Sequence, residues 1–210
     1  MIKLIYFEFN FWRIDISKLS LSYSEIPYKL EKLPRNEFFK KKKSGFFPFG
    51  QLPVMIIDKK MYGQTLAIAK FCASKSGLYG KNDKESLVID QVLNWANDIN
   101  TIIAPSIREK NREKQLKLRK NFVDNHLMIW FNFLEKLFLK TSKNKKFFTD
   151  RFSLADITAW RVIHWFISGK LELIDPKFIM SFKNLQKFYT GIYNKKSFNK
   201  LKEFEEIISN

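Results

Sequence analysis

The stretch Pro48-Phe49-Gly50-Gln51-Leu52-Pro53-Val54, followed by Gln64-Thr65-Leu66-Ala67-Ile68, constrains this chain more than any other. It joins a rigid X-Pro turn to a strand, a tight loop and a polar helix start. Val54-Met55-Ile56-Ile57 is an apolar, β-branched-rich run and reads as a strand, with Asp58-Lys59-Lys60 as its turn. Gln64-Thr65 then opens an apolar helical pattern through Leu66, Ile68, Ala69, Phe71 and Cys72. A helix N-terminus beside a segment with free backbone groups suits an anionic, peptide-like ligand. The first-turn N–H groups bind a carboxylate, and the helix dipole favours negative charge.

The pattern around this stretch gives a coarse architecture. Leu4 to Phe7 reads as a strand, Ile14 to Tyr23 as a short helix and Tyr28 to Leu33 as a second strand. Residues 34–47 read as a basic, aromatic loop. Strands 54–57 and 60–62 follow, then a helix from Thr65 to Lys75, with Gly77 as its terminator. This β-α-β, β-β-α order is that of an α/β thioredoxin-like domain over residues 1–79, with helices on both sides of a mixed sheet. Residues 78–84 read as a linker. An all-α helical-bundle domain is expected over residues 86–210, with helices at 87–103, 107–140, 153–167, 177–193 and 197–208.

Composition narrows the class. The 210 residues are 45% hydrophobic, enough for one or two packed cores. A single cysteine, Cys72, permits no intrachain disulfide and reads as a core residue on an apolar helix face. No apolar run approaches the length of a membrane span, and Glu8 cuts short the apolar N-terminal run, so no secretory leader is expected. A cytoplasmic protein is the default. The formal charge of +17 favours polyanions and anionic surfaces, but the lysines are spread among several segments, and compositional drift accounts for much of it. His126 and His164 stand alone without metal-ligand spacing, and no metal is expected.

Pro48 to Ile68 resembles the glutathione-binding segment of the cytosolic glutathione transferases, whose pattern is roughly Pro-Phe-Gly-Gln-Leu-Pro-Val, then Gln-Ser-Leu-Ala-Ile. Three further segments agree. Lys3-Leu4-Ile5-Tyr6-Phe7 resembles the first strand of the sigma-like classes, ending in the catalytic tyrosine. Gly77-Leu78-Tyr79-Gly80-Lys81, then Val88-Ile89-Asp90-Gln91 and Asn97-Asp98, resembles the interdomain linker and the first helix of the all-α domain. Ser153-Leu154-Ala155-Asp156 matches the family's buried capping box, in which Asp156 answers back to the Ser153 N–H.

The resemblance implies roles for particular residues. Tyr6 would donate a hydrogen bond to the glutathione sulfur and favour its thiolate; the alternative is a strand aromatic packing on the core. Pro53 would be a cis proline, leaving Leu52 to pair strand-like with the cysteinyl part of glutathione, and Gln51 belongs to the same binding segment. Gln64 and Thr65 would hold the γ-glutamyl end, or form a plain N-cap. Asp98 would reach the glutathione amino group across a dimer interface, unless it is an ordinary exposed helix residue.

Two stretches depart from the sigma-like pattern. After Tyr6 that pattern has Arg-Gly-Arg-Ala-Glu, whereas this chain has Phe9-Asn10-Phe11-Trp12-Arg13-Ile14-Asp15. Arg13 and Asp15 match the second arginine and the glutamate. The aromatics Phe11 and Trp12 line a second-substrate pocket, or cover the thiol site. In the loop before Pro48, Phe39 approximates a tryptophan that grips the glycine end of glutathione, without an indole donor, and Lys43 stands for the accompanying lysine.

The expected protein is thus a cytoplasmic homodimeric transferase of the sigma-like kind, an enzyme of detoxification. It would join glutathione thiolate to a small hydrophobic electrophile, with glutathione as co-substrate and no cofactor. The alternative is a non-catalytic binding or scaffold protein of the same fold, or a ligandin that sequesters hydrophobic anions. Weak, non-specific polyanion binding fits either.

Overall fold

The structure is a computed structural model that describes residues 1–209. The chain divides into two compact units, one of Met1–Tyr79 with the segment from Lys195, the other of Gly80–Asn194.

The first unit is built on a four-stranded sheet. Its strands are β1 (Ile2–Phe7), β2 (Tyr28–Leu33), β3 (Val54–Ile57) and β4 (Lys60–Gly63), in spatial order β2-β1-β3-β4. β1 and β2 run parallel, with Tyr6 opposite Lys32, while β1–β3 and β3–β4 are antiparallel. Side chains alternate across β1, as a strand requires. Ile2, Leu4 and Tyr6 pack with Ile14 and Leu21 of α1 (Trp12–Tyr23) and Ile68 and Cys72 of α3 (Thr65–Lys75). Ile5 faces the other way and packs with Phe38 of α2 (Arg35–Lys43), Phe47 and Val54. Helices therefore cover both sheet faces, and the thioredoxin-like reading is borne out.

Segment 34–47 corrects the sequence reading, because nine of its residues form α2 and not a loop. Only Phe38 of that helix is buried, so the lysine-rich sequence carries no apolar period to announce it. Helix α1 also begins two residues earlier than its apolar pattern, because the Phe11 carbonyl already accepts from the Ile14 and Asp15 N–H groups.

The second unit is helical. Its elements are α4 (Asp83–Arg108), α5 (Arg112–Phe122), α6 (Met128–Thr141), α7 (Leu154–Ile167) and α8 (Lys183–Tyr193). The pattern expected to run unbroken over 107–140 is interrupted twice. Asn111 caps α5 by accepting from the Lys114 N–H at 3.0 Å, and a π-helical turn, Val123–Leu127, separates α5 from α6. The capping box of α7 forms as read. Asp156 accepts from the Ser153 N–H at 2.8 Å and the Ser153 hydroxyl at 3.0 Å, and also from the Phe148 N–H at 2.8 Å. Arg119 of α5 is buried, donating to Ser106 Oγ at 2.8 Å and to the Glu172 carbonyl at 3.0 Å.

The final segment, read from sequence as part of the helical domain, groups with the first unit. It carries α9 (Lys196–Asn199) and α10 (Lys202–Ile208). The Tyr28 hydroxyl donates to Glu203 Oε1 at 2.6 Å, and the Asn10 side-chain amide donates to the Glu206 carbonyl at 3.0 Å.

Candidate functional site

Tyr6 is the penultimate residue of β1, with only 4% of its surface exposed. Its ring meets Phe7 and Phe9 edge-on, at centroid distances of 5.4 and 5.9 Å. Leu52 and Phe11 pack against the same apolar cluster, so three of the residues singled out in the sequence converge there. The Leu52–Pro53 peptide is cis, as the Gln-Leu-Pro-Val pattern led one to expect. Leu52 lies two residues before the β3 ladder, whose pairing with β1 and β4 begins at Val54.

The first turn of α3 supplies the second part of the site. Gln64 occupies the N-cap in a positive-φ conformation (φ 74°), and its side chain makes no capping bond to the helix. It is exposed, so its amide faces solvent, whereas Thr65 is buried. Arg13, in the first turn of α1, donates from Nη1 to Thr65 Oγ1 at 3.3 Å. The guanidinium also lies over the Trp12 ring, 4.9 Å from its centroid. A hydroxyl that accepts from a guanidinium keeps its own proton to donate to a ligand oxygen. The first-turn N–H groups of α3 add the positive end of the helix dipole.

The third part is α2 with the turn that follows it. Phe39 is 58% exposed and Lys43 is exposed at the helix end. Lys42 is the lysine that leans on the binding segment. A β-carbon placed on Gly50 would lie 3.3 Å from Lys42 Cε, and Lys42 Nζ sits 5.9 Å from the Phe38 ring centroid. Reading 34–47 as a loop hid this. In a helix Lys42 lies one turn from buried Phe38, while Lys43 lies one turn from exposed Phe39. Gln51 is exposed beside Leu52.

Two expected site residues need correction or relocation. Trp12 is 0% exposed, so it offers no surface to a second substrate. It is the first residue of α1, and its neighbour Phe11 is half-buried. Asp98 lies on α4 in the helical unit, exposed, in a shallow groove with Asp90, Asn94, Trp95 and Phe133. Cys72 is fully buried in the core, and burial pushes its thiol up to about 12, which removes it as a nucleophile at neutral pH.

A cavity of about 840 Å³ in the first unit lies elsewhere. It is walled by Ile2, Phe49, Met61, Tyr62, Ala67 and Phe71, and Tyr6, Arg13, Leu52, Gln64 and Thr65 do not line it. We place the candidate site at the latter residues, because they combine a phenol, a guanidinium and a helix N-terminus, whereas the cavity is predominantly apolar.

This fold and site define a class, a thioredoxin-like domain joined to an all-α domain. Residues 97–206 match the glutathione S-transferase C-terminal domain family. Glutathione S-transferase alpha-4 of Rattus norvegicus is 30% identical over 195 residues, covering 91% of this chain and 83% of that protein. The chain belongs to the glutathione S-transferase family. Glutathione S-transferase 2 of Manduca sexta is 38% identical over 80 residues, 38% of this chain, and this match spans only 39% of that relative. Among solved structures, prostaglandin synthase D of Nilaparvata lugens superposes with a TM-score of 0.79 at 24% identity, covering 95% of each chain, which establishes the shared fold. Among the described residues, no helix is long and apolar enough to cross a membrane.

Proposed function

We propose that this protein is a glutathione transferase, most like the sigma-type group, that joins glutathione to a small hydrophobic electrophile. The observation that carries this reading is the Arg13–Thr65 contact at the start of α3, in the same unit whose first strand carries Tyr6 near its end. Gln64 and Thr65 bind the γ-glutamyl carboxylate at the helix N-terminus, and Leu52 pairs through its backbone with the cysteinyl residue. Lys42 or Lys43, with Phe39, flanks the glycine end.

In the reaction, the glutathione thiol gives its proton to solvent and the Tyr6 hydroxyl donates to the resulting thiolate. The sulfur lone pair forms a carbon–sulfur bond, and the leaving group departs with the electron pair of the bond it breaks. A free thiol near pKa 8.5 needs a drop of about two units for thiolate to dominate at neutral pH. A hydrogen bond to a charged group, worth roughly 1.5–3 kcal/mol, supplies one to two of them. We further read the protein as a homodimer in which Asp98 of one copy serves the glutathione site of the other.

Calorimetric titration with glutathione, followed by turnover of a chromogenic aryl halide, tests the reading. Saturable binding with turnover is expected. Saturable binding without turnover would leave a glutathione-binding protein, and no binding would sink the proposal.

A further inference from the structure

The loop that follows Tyr6 is held from the far end of the chain. Asn10 lies between two aromatic neighbours, and both ends of its side-chain amide are used. Its Nδ2 donates to the Glu206 carbonyl at 3.0 Å, and its Oδ1 accepts from Lys18 Nζ at 3.2 Å. Lys18, 2% exposed, also donates to Glu206 Oε2 at 3.4 Å and lies 3.6 Å from the buried Asp15 carboxylate. One α1 lysine, one loop asparagine and one α10 glutamate thus close a polar ring. A buried ammonium is tolerated only with such partners, so the ring fixes the geometry of its members.

The ring is adjacent to the candidate site. Phe9 precedes Asn10, stacks on Phe7 at 5.6 Å and sets its ring edge-on to Tyr6 at 5.9 Å. Arg35 also lies over the Phe9 ring, 5.8 Å from its centroid. Pinning Asn10 pins Phe9, and Phe9 is one of the walls of the Tyr6 ring. The second anchor of α10, from the Tyr28 hydroxyl to Glu203, touches β2 and not this loop.

We infer that Asn10 and Glu206 are positioning residues for Tyr6: α10 holds loop 8–11 through Asn10 and Lys18, and the loop sets the tyrosine against the glutathione sulfur. This rests on Tyr6 being the residue that stabilises the thiolate. Neither Asn10 nor Glu206 needs to touch substrate.

The test compares Asn10→Ala, Glu206→Gln, Tyr28→Phe and Tyr6→Phe with the wild type. Three quantities are read: the pH midpoint of thiolate absorbance in bound glutathione, kcat against KM, and amide exchange at residues 8–11. Asn10→Ala should raise the thiol midpoint and lower kcat roughly three- to tenfold, the worth of one or two ordinary hydrogen bonds, with KM for glutathione nearly unchanged. Exchange at 8–11 should rise. Glu206→Gln should shift the same quantities less, because its carbonyl and one side-chain oxygen remain. Tyr28→Phe removes the other anchor of α10 and should lower thermal stability while leaving midpoint and kcat in place.

Equal losses in Asn10→Ala and Tyr28→Phe, tracking melting temperature alone, would make the ring merely structural and overturn the inference. A midpoint that moves in Tyr6→Phe but not in Asn10→Ala would also overturn it, with the role of Tyr6 intact. A midpoint unmoved in Tyr6→Phe would sink the role of Tyr6, and this inference with it.

Discussion

Arg13 reaches Thr65: its Nη1 donates to the threonine Oγ1 across 3.3 Å and ties the first turn of α1 to the first residue of α3. The two residues are far apart in sequence, and both belong to stretches that the family resemblance marks for glutathione. The contact orients a hydroxyl at a helix N-terminus, where an anionic ligand gains from free N–H groups and from the dipole.

Thr65→Val keeps the shape of the side chain and removes the hydroxyl. Glutathione affinity should fall about tenfold, the value of one charge-assisted bond. Thr65→Ser keeps the hydroxyl and should bind within about twofold of wild type. Calorimetry on the two variants measures this. Equal affinity in Thr65→Val and Thr65→Ser would remove the hydroxyl from the binding site.

Asp156 is expected to control stability and not chemistry. Its carboxylate takes three donors at the start of α7, and Asp156→Ala leaves the Phe148 and Ser153 N–H groups buried without an acceptor. The cost should be about 2–5 kcal/mol, or a melting temperature lower by roughly 5–15 °C. Burial pushes this carboxyl up to about 7 from an ordinary value near 3.8, against the pull of its N–H and hydroxyl donors. The sign follows from linkage. A raised carboxyl binds its proton more tightly in the folded state, so its stabilising contribution is fully present below about pH 4 and is lost as pH rises through 7. Urea unfolding of wild type and Asp156→Asn at several pH values isolates it. The stability difference between them should shift by up to about 1.4 kcal/mol per pH unit across that window. A pH-independent difference would show that the donors offset burial in full, and a difference of opposite slope at acid pH that they outweigh it.

Two surface features bear on assembly. Phe49 is 71% exposed in the first unit, and Asp98 is exposed on α4 beside Trp95 and Phe133 in the second. We expect a homodimer at micromolar concentration, with Asp98→Ala weakening glutathione binding several-fold and Phe49→Ser weakening association. Light scattering and glutathione titration check both. A monomer that binds glutathione as tightly as the dimer would contradict the role of Asp98.

The charge of +17 is expected to give weak duplex binding that falls steeply with salt, since it arises from counterion release. Glutathione, held by backbone groups and a helix N-terminus, should respond far less. Titrating a DNA duplex and glutathione separately at low and physiological salt compares the two. Sequence-selective, salt-resistant duplex binding would instead point to a scaffold.

Particular elements show where sequence is sufficient. Helix α3 was legible to the residue because Thr65, Ile68, Ala69 and Cys72 carry a helical apolar period and are all buried. The Pro48–Val54 stretch and the capping box were legible because turn and cap chemistry is local. Helix α2 was not, since nine residues with one buried side chain show no period. The break at Asn111 was missed because the flanking helices share a continuous pattern, although the asparagine is itself a cap signal. Tyr6, Leu52, Gln64 and Thr65 of the candidate site are proposed from motif, which is local. Asn10, Lys18 and Glu206 were not legible, because their contacts span up to 196 residues of chain and leave no local pattern.

The proposed chemistry turns on Tyr6 favouring the glutathione thiolate. Thiolate absorbance of bound glutathione, titrated against pH in wild type and Tyr6→Phe, tests it most directly. The account predicts a midpoint one to two pH units higher in Tyr6→Phe, equivalent to roughly 1.5–3 kcal/mol and a ten- to hundredfold lower rate, with glutathione affinity nearly unchanged. Coincident midpoints in the two proteins would contradict it and reduce Tyr6 to an aromatic of the core.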